Sequence, residues 1–438
     1  LSPKTVVVTT TDNDSANFLV SQSTATVSEN GTLTDSLSVV LTSEPTANVT
    51  LTVSDNDSSE VLFSPTSLVF GSDNWSTAQW ITLTGKDDNV SDDNQSTLLT
   101  LSLSSVDSKY DNSSLSPKTV VVTTTDNDSA NFLVSQSTAT VSENGTLTDS
   151  LSVVLTSEPT ANVTLTVSDN DSSEVLFSPT SLVFGSDNWS TAQWITLTGK
   201  DDNVSDDNQS TLLTLSLSSV DSKYDNSSLS PKTVVVTTTD NDSVGLLISK
   251  DNVTVDERTG TDNFTVRLQS EPTDNVTLLL TVSDDNESSV SPAALSFSPD
   301  NWSEAQTVVV SGVEDHFDDG SQTSTITVAS DNSTSDSKYD GLSDNLTVTT
   351  LDNDTAVVTI ADVSALENAG AATMTLRLTN GVSDNFTVYV STSDGTAFED
   401  EGDYTALSSV PVSFTGTDNE TQTVSITLLD DGYVEDNE

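Results

Sequence analysis

Apolar residues alternate with serine and threonine along most of the chain. The runs "TATVS" (24–28), "LSVVL" (37–41), "NVTLTV" (48–53), "WITLT" (80–84), "LLTLSLSSV" (98–106) and "KTVVVTT" (118–124) all carry this pattern. A period of two turns one side of an extended segment toward a core and the other toward water, so each run predicts a half-buried strand. With "FLV" and "SLVF" added, a unit holds seven or eight short strands separated by Asn/Asp/Ser/Gly turns, and no stretch predicts a helix. The expectation is an all-β fold built from antiparallel β-sandwiches of roughly 100 residues. Leu37, Val39, Leu41, Val49, Leu51, Val53, Ile81, Leu83, Leu99, Leu101 and Leu103 should face inward. Trp75 and Trp80 are expected in core or edge packing rather than as a carbohydrate platform.

The pattern repeats. Residues 1–129 recur letter for letter as 115–243, a period of 114 residues. A third copy has diverged: "TVSDNDSS" becomes "TVSDDNES", and "GSDNWSTAQWITLTGKDD" becomes "SPDNWSEAQTVVVSGVED". The last 84 residues diverge further. The expected organisation is a tandem array. Residues 1–14 are the terminal strand and junction of a preceding repeat, followed by repeats at 15–128, 129–242 and 243–354, and by a unit at 355–438 that stops before its closing strands. No Pro/Gly/Ser linker separates the units. The last strand of one runs through "TTTDND" into the next, so a joint is stiff only if something locks those acids.

Charge then narrows the chemistry. Lys and Arg total 12 against 68 Asp and Glu, a formal net charge of -56. Such a chain repels nucleic acid and anionic membranes, and its clustered carboxylates call for cations. With no Cys, one Met and one His, only hard oxygen ligands are plentiful. The one histidine, His316, is expected as an exposed loop residue. No nucleophile-elbow or phosphate-loop glycine pattern appears, and repeated identical acid clusters do not resemble a glycosidase pair, so no enzyme is expected.

The acids bunch at a few turns: Glu29, Asp55 and Asp57, Asp87, Asp88, Asp92 and Asp93, then Asp126 and Asp128 at the junction. The identical second unit repeats them all, and its candidate ligands are Glu143, Asp169, Asp201, Asp202, Asp206, Asp240 and Asp242. The diverged third unit keeps acids at Glu257, Asp284, Glu314, Asp315, Asp319, Asp352 and Asp354, whereas Asp93 becomes Gly320 and drops out. The final unit offers Glu367, Asp394, Asp430, Asp431 and Glu435. A merely solvated acidic rim has no need to hold its positions through divergence. Calcium, with about six to eight oxygen ligands, suits roughly two to four ions at each such crowd.

In the final unit, Glu367, Asp394-Gly395-Thr396-Ala397, Asp403-Tyr404, and Asp430-Asp431 followed by Glu435 resemble the Calx-beta domain. The three upstream units are similar to diverged Calx-beta-like repeats of giant bacterial surface adhesins, although they lack the Asp-Gly-Thr-Ala and Asp-Tyr motifs. The resemblance implies an immunoglobulin-like sandwich that binds calcium in its distal loops and at the joint to the next domain.

Asparagines form a second signal. Of 32, 27 begin Asn-x-Ser/Thr, and 23 of those follow an aspartate. In the unique sequence the candidate glycosylation sites are Asn30, Asn48, Asn56, Asn74, Asn89, Asn94, Asn112, Asn252, Asn263, Asn275, Asn286, Asn301, Asn332, Asn345, Asn385 and Asn419. N-glycosylation marks an exported surface chain. The competing reading is turn chemistry, since these side chains also satisfy local backbone groups. The leading expectation is a calcium-rigidified, extracellular stalk of a surface protein involved in adhesion or matrix. Its partners are neighbouring repeats of the same chain, with no nucleic acid and no direct membrane contact. The alternative is a self-assembling filament in which copies complement one another through a strand.

Overall fold

The computed structural model describes residues 3–333 and 335–430. The chain divides into two compact units, residues 1–201 with 207–240 and residues 202–206 with 241–438.

In the first of these, the first repeat contains nine strands. They are β1 (Phe18–Val20), β2 (Thr24–Ser28), β3 (Thr34–Leu41), β4 (Val49–Asp55), β5 (Val61–Ser64), β6 (Ser67–Phe70), β7 (Gln79–Gly85), β8 (Gln95–Ser105) and β9 (Lys118–Thr125). One sheet runs β1-β3-β7-β5 and the other β2-β9-β8-β4-β6. Pairing is antiparallel except between β2 and β9, which run parallel from Thr24 beside Val121 to Ser28 beside Thr125. The link Ser21–Ser23 carries the chain from one sheet to the other without turning it back, so β2 arrives beside the closing strand in the same direction. Alternation did not predict β5, whose "VLFS" buries Val61 while Leu62 stays 56% exposed.

All eleven positions expected to face inward are buried, none more than 5% exposed. The expectation for Trp80 fails. Ile81 and Leu83 point into the core, so the pleat turns Trp80 outward opposite Ser38, and it is 58% exposed. Trp75 does pack against the core. The second repeat has the same two sheet orders.

A turn after β8 anchors each repeat. Asp107 accepts from the backbone N–H of Thr46 at 2.8 Å and of Lys109 at 3.0 Å, which holds its carboxyl below the usual range. The buried Tyr110 donates its O–H to the Ser43 carbonyl at 2.7 Å. The same bond recurs from Tyr224 to Ser157 and from Tyr339 to Ser270.

In the second unit, the third repeat spans Leu246–Ile248 to Ser343–Leu351 with those sheet orders again. The final segment pairs Val357–Ile360, Ala371–Thr379 and Thr421–Thr427 in one sheet, and Phe386–Val390 with Val410–Phe414 in another. Its core holds Leu376, Leu378, Val412, Phe414 and Val424. Among the described residues, two single-turn 3-10 helices, Ser337–Tyr339 and Glu367–Ala369, interrupt an otherwise all-β structure. Among the described residues no helix is long and apolar enough to cross a membrane.

Candidate metal centre

The acidic turns of the first repeat converge at the end where β2, β7 and β9 finish. Glu29 follows β2, and its backbone N–H donates to the Thr125 carbonyl at the end of β9 (3.2 Å). Gly85 closes β7 so near this chain that a Cβ there would overlap the Ser28 carbonyl. The backbone of Glu29 is thereby fixed from two sides, and its side chain is 2% exposed. Asp126 and Asp128 leave β9 directly above it, and carboxylate oxygens of all three residues lie within 4.8 Å of one another.

The loop 86–94 folds over this trio. Asp126 Oδ2 accepts from the N–H groups of Asp92 (3.1 Å) and Asp93 (2.9 Å), and Asp126 Oδ1 accepts from Asp128 N–H (2.6 Å). Asp88 Oδ1 receives Val90 N–H at 2.8 Å. Burial pushes Glu29 up to about 7 despite the N–H it receives from Asn127, with the charges of Asp126, Asp88 and Asp92 adding to the rise. Asp92 and Asp128 are raised as well, first by burial and then by like charges, with Asp87 and Asp88 both acting on Asp128.

A sixth acid belongs here that the sequence reading missed. Glu60, 7% exposed, has its carboxyl raised by burial and by Asp92, Asp57 and Asp88. It stands in "DNDSSE", a serine-rich turn that looks solvated; its place next to the strand-opening Val61 was the available signal. Its Oε2 and Asp92 Oδ1 are shut off from solvent and have no hydrogen-bond partner. Asp55 ends β4 opposite Leu99 and is not among the charges acting most strongly on the cluster.

In the second repeat the same letters recur. Glu143 is 2% exposed, Val204 N–H binds Asp202 Oδ1 at 2.7 Å, and Asp207 N–H binds Asp240 Oδ2 at 2.9 Å. The third repeat brings Glu257, Asp315 and Asp354 within 4.8 Å of one another, with Glu257 pushed up to about 7 by burial. Asp284, Asp315, Asp319 and Asp352 all act on Glu287, the counterpart of Glu60. Glu287 Oε2 and Asp354 Oδ2 are inaccessible and have no hydrogen-bond partner. His316 is exposed, as expected, yet it lies beside Glu314 and Asp354.

The final segment differs. Glu367, Asp394 and Asp430 are exposed, and Asp394 Oδ1 serves the local turn by accepting from Tyr404 O–H and Glu399 N–H. No trio of acids converges there among the described residues. Asp431 and Glu435 lie outside the described residues.

The acidic loop is also the joint. Asn89 O accepts from Glu158 N–H of the second repeat at 2.6 Å, and Val90 bridges to Glu158. Asn203 O accepts from Glu271 N–H, and His316 O from Gly381 N–H, in the same way. Lysines of the anchoring turn reach back: Lys223 Nζ lies 2.7 Å from Asp93 Oδ1, and Lys338 Nζ donates to Ser205 O at 2.6 Å. The replacement of Asp93 by Gly320 has a backbone reason, since Asp93, Asp207 and Gly320 have φ of 66°, 67° and 72°.

Of the sixteen candidate glycosylation sites named above, Asn74 and Asn301 are half-buried and the rest are exposed. Two are turn formers, Asn30 Oδ1 accepting from Thr32 N–H and Asn74 Oδ1 from Gly71 N–H, whereas Asn56 and Asn94 reach across to distant backbone, their Oδ1 atoms accepting from Leu98 N–H and Asp126 N–H.

An oxygen-only cluster with desolvated, like-charged members and orphaned carboxylate oxygens fits a hard divalent cation. The Calx-beta domain family matches the chain in four consecutive segments, residues 11–128, 125–242, 239–362 and 351–438. No curated protein matches it. Among solved structures it is similar to CBD12 from CALX1.2 (16% identity, 45% of this chain and 79% of that one, TM-score 0.22). It is also similar to the calcium binding domain CBD12 of CALX1.1 (17%, 46% and 80%, 0.24). A third is mouse cadherin-23 EC22-24 (12%, 78% and 100%, 0.33).

Proposed function

The chain belongs to the Calx-beta family, and from that premise we propose that its joints bind calcium, making the array a stiffened spacer of an extracellular surface protein. One observation carries this reading. Glu29, Asp126 and Asp128 crowd within 4.8 Å, Glu29 is buried, and none of the three is ion-paired with Lys or Arg among the described residues. Left bare, such a cluster repels itself. In the first repeat Glu29, Glu60, Asp88, Asp92, Asp126 and Asp128 would hold calcium, with Asp87 at the rim. Glu257, Glu287, Asp315, Asp319, Asp352 and Asp354 would do so in the third. Because the loop that carries these acids also hydrogen-bonds the following repeat, an ion that orders the loop orders the joint.

The exposed Asp-Asn-x-Ser/Thr sites support glycosylation of an exported chain, where glycans would shield sheet edges from pairing with other chains. Intact-mass spectrometry of material from its natural source tests both parts together. Several calcium equivalents, lost on chelation, and a glycan excess over the mass of the polypeptide are expected. Bare protein mass in calcium-containing buffer contradicts the reading.

A second reading has one observation in its favour. Val6, Val7 and Val8 are 81–87% exposed, although "KTVVVTT" is β9 when it recurs at 118–124. That segment would complete a sheet in another copy. Concentration-dependent fibres would favour it, and monodisperse chain at every concentration would exclude it.

A further inference from the structure

The third repeat departs from the other two at one point of its acidic loop. Where the identical repeats have Asn89 and Asn203, it has His316, the one histidine of the chain. An imidazole nitrogen of His316 and carboxylate oxygens of Glu314 and Asp354 all lie within 4.8 Å of one another. Asp354 also belongs to the Glu257–Asp315 cluster, so it stands between two groups of ligand atoms.

Three further observations bear on what this trio can hold. Asp354 Oδ1 accepts from Asn380 Nδ2 at 2.8 Å, whereas Oδ2 is inaccessible to solvent and has no hydrogen-bond partner. The His316 backbone is fixed by the Gly381 N–H on its carbonyl at 2.6 Å, so the ring hangs from a rigid point. Glu314 and His316 are both exposed, which gives an ion a path from solvent.

We propose that this joint takes a divalent transition metal of the zinc type through His316, Glu314 and Asp354, beside the oxygen-only site. Imidazole nitrogen favours zinc, cobalt and nickel over calcium, and carboxylates complete such a set. Ligand atoms around zinc at about 2.0–2.2 Å can be no more than about 4.4 Å apart, so the trio closes on an ion with small side-chain movements. The identical repeats lack the site because an asparagine amide replaces the imidazole. The proposal shares Asp354 with the calcium reading but does not require calcium to be bound.

The single histidine gives an unambiguous probe. The full chain is titrated with zinc, once in saturating calcium and once after chelation and removal of the chelator, while the ring protons of His316 are followed by NMR. One zinc equivalent per chain that shifts those signals is expected. His316→Asn, which restores the residue of the first repeat, should weaken that equivalent at least tenfold while calcium uptake stays unchanged. Ring signals that do not move, or a zinc equivalent that survives His316→Asn, overturn the proposal. Failure of calcium uptake with the histidine response intact removes the calcium reading alone.

Discussion

Chelating calcium at pH 7.5 is expected to lower the unfolding temperature of the chain by on the order of 10 °C, and at pH 5 to change it far less. Glu29 and Glu257 have folded pKa values raised from 4.5 to about 7 when no cation is present. Because the raised value belongs to the folded state, the stability each contributes is fully present below pH 4.5 and is lost as pH rises through 7. A shift of that size corresponds to on the order of 3 kcal/mol per group. Each such loss moves the midpoint of a domain of this size by roughly 10 °C. Calcium substitutes for the missing proton, so its removal matters most where the proton has already left. Glu60, Asp92 and Asp128, also raised, act in the same direction. Thermal unfolding with and without chelator at the two pH values measures this. An equal effect at both would mean that these carboxyls do not hold the cation.

A single methyl group in the third repeat should have a comparably large effect. A Cβ on Gly312 would overlap the Asp256 carbonyl and come within 2.8 Å of Glu257 Cα. Backbone on both sides cannot yield as a flexible side chain would, so Gly312→Ala must push Glu257 away from Asp315 and Asp354. We expect a loss of about 2 kcal/mol or more of local stability and at least tenfold weaker calcium binding at that joint. Gly320→Asp is the control. It has open space within 4 Å and restores the residue that occupies the same left-handed position in the first repeat, Asp93. It should cost no more than about 1 kcal/mol, the left-handed penalty that Asp bears better than most residues. Hydrogen exchange separates the third repeat, because its peptides differ from the identical pair. Protection in Gly312→Ala equal to that in Gly320→Asp would refute the close-approach argument.

Much of the sandwich was legible because alternation and burial are the same fact in a strand. Leu37 to Leu103 fell inward where the period of two placed them. Trp80 was misjudged by its size, although its own neighbours Ile81 and Leu83 had fixed its direction. The clearest limit is the segment "KTVVVTT". It is β9 at 118–124, where β8 and β2 flank it, and has no strand at 4–10, where its valines stand in water. Strand formation there depends on partners and not on the letters.

The acids were partly legible for a different reason. Divergence between repeats pointed to Glu29, Asp55, Asp87, Asp88, Asp92, Asp126 and Asp128 and discounted Asp93; of these, Glu29, Asp126 and Asp128 lie within 4.8 Å of one another, and Asp93 lies at the joint beside Lys223. Glu60 was hidden because a serine-rich turn does not disclose that the following strand buries its first residue. In the last unit Glu367 has the motif but not the burial that Glu29 and Glu257 share. Burial comes from strands packed around the residue, which a motif does not encode.

Small-angle scattering of the full chain with calcium and with excess chelator tests the central claim, that cations held by these acids stiffen the joints. The account predicts that chelation removes the longest distances from the pair-distance distribution and broadens it, and that calcium restores them. A maximum dimension unchanged by chelation, in a sample shown by mass to have lost its calcium, would contradict it.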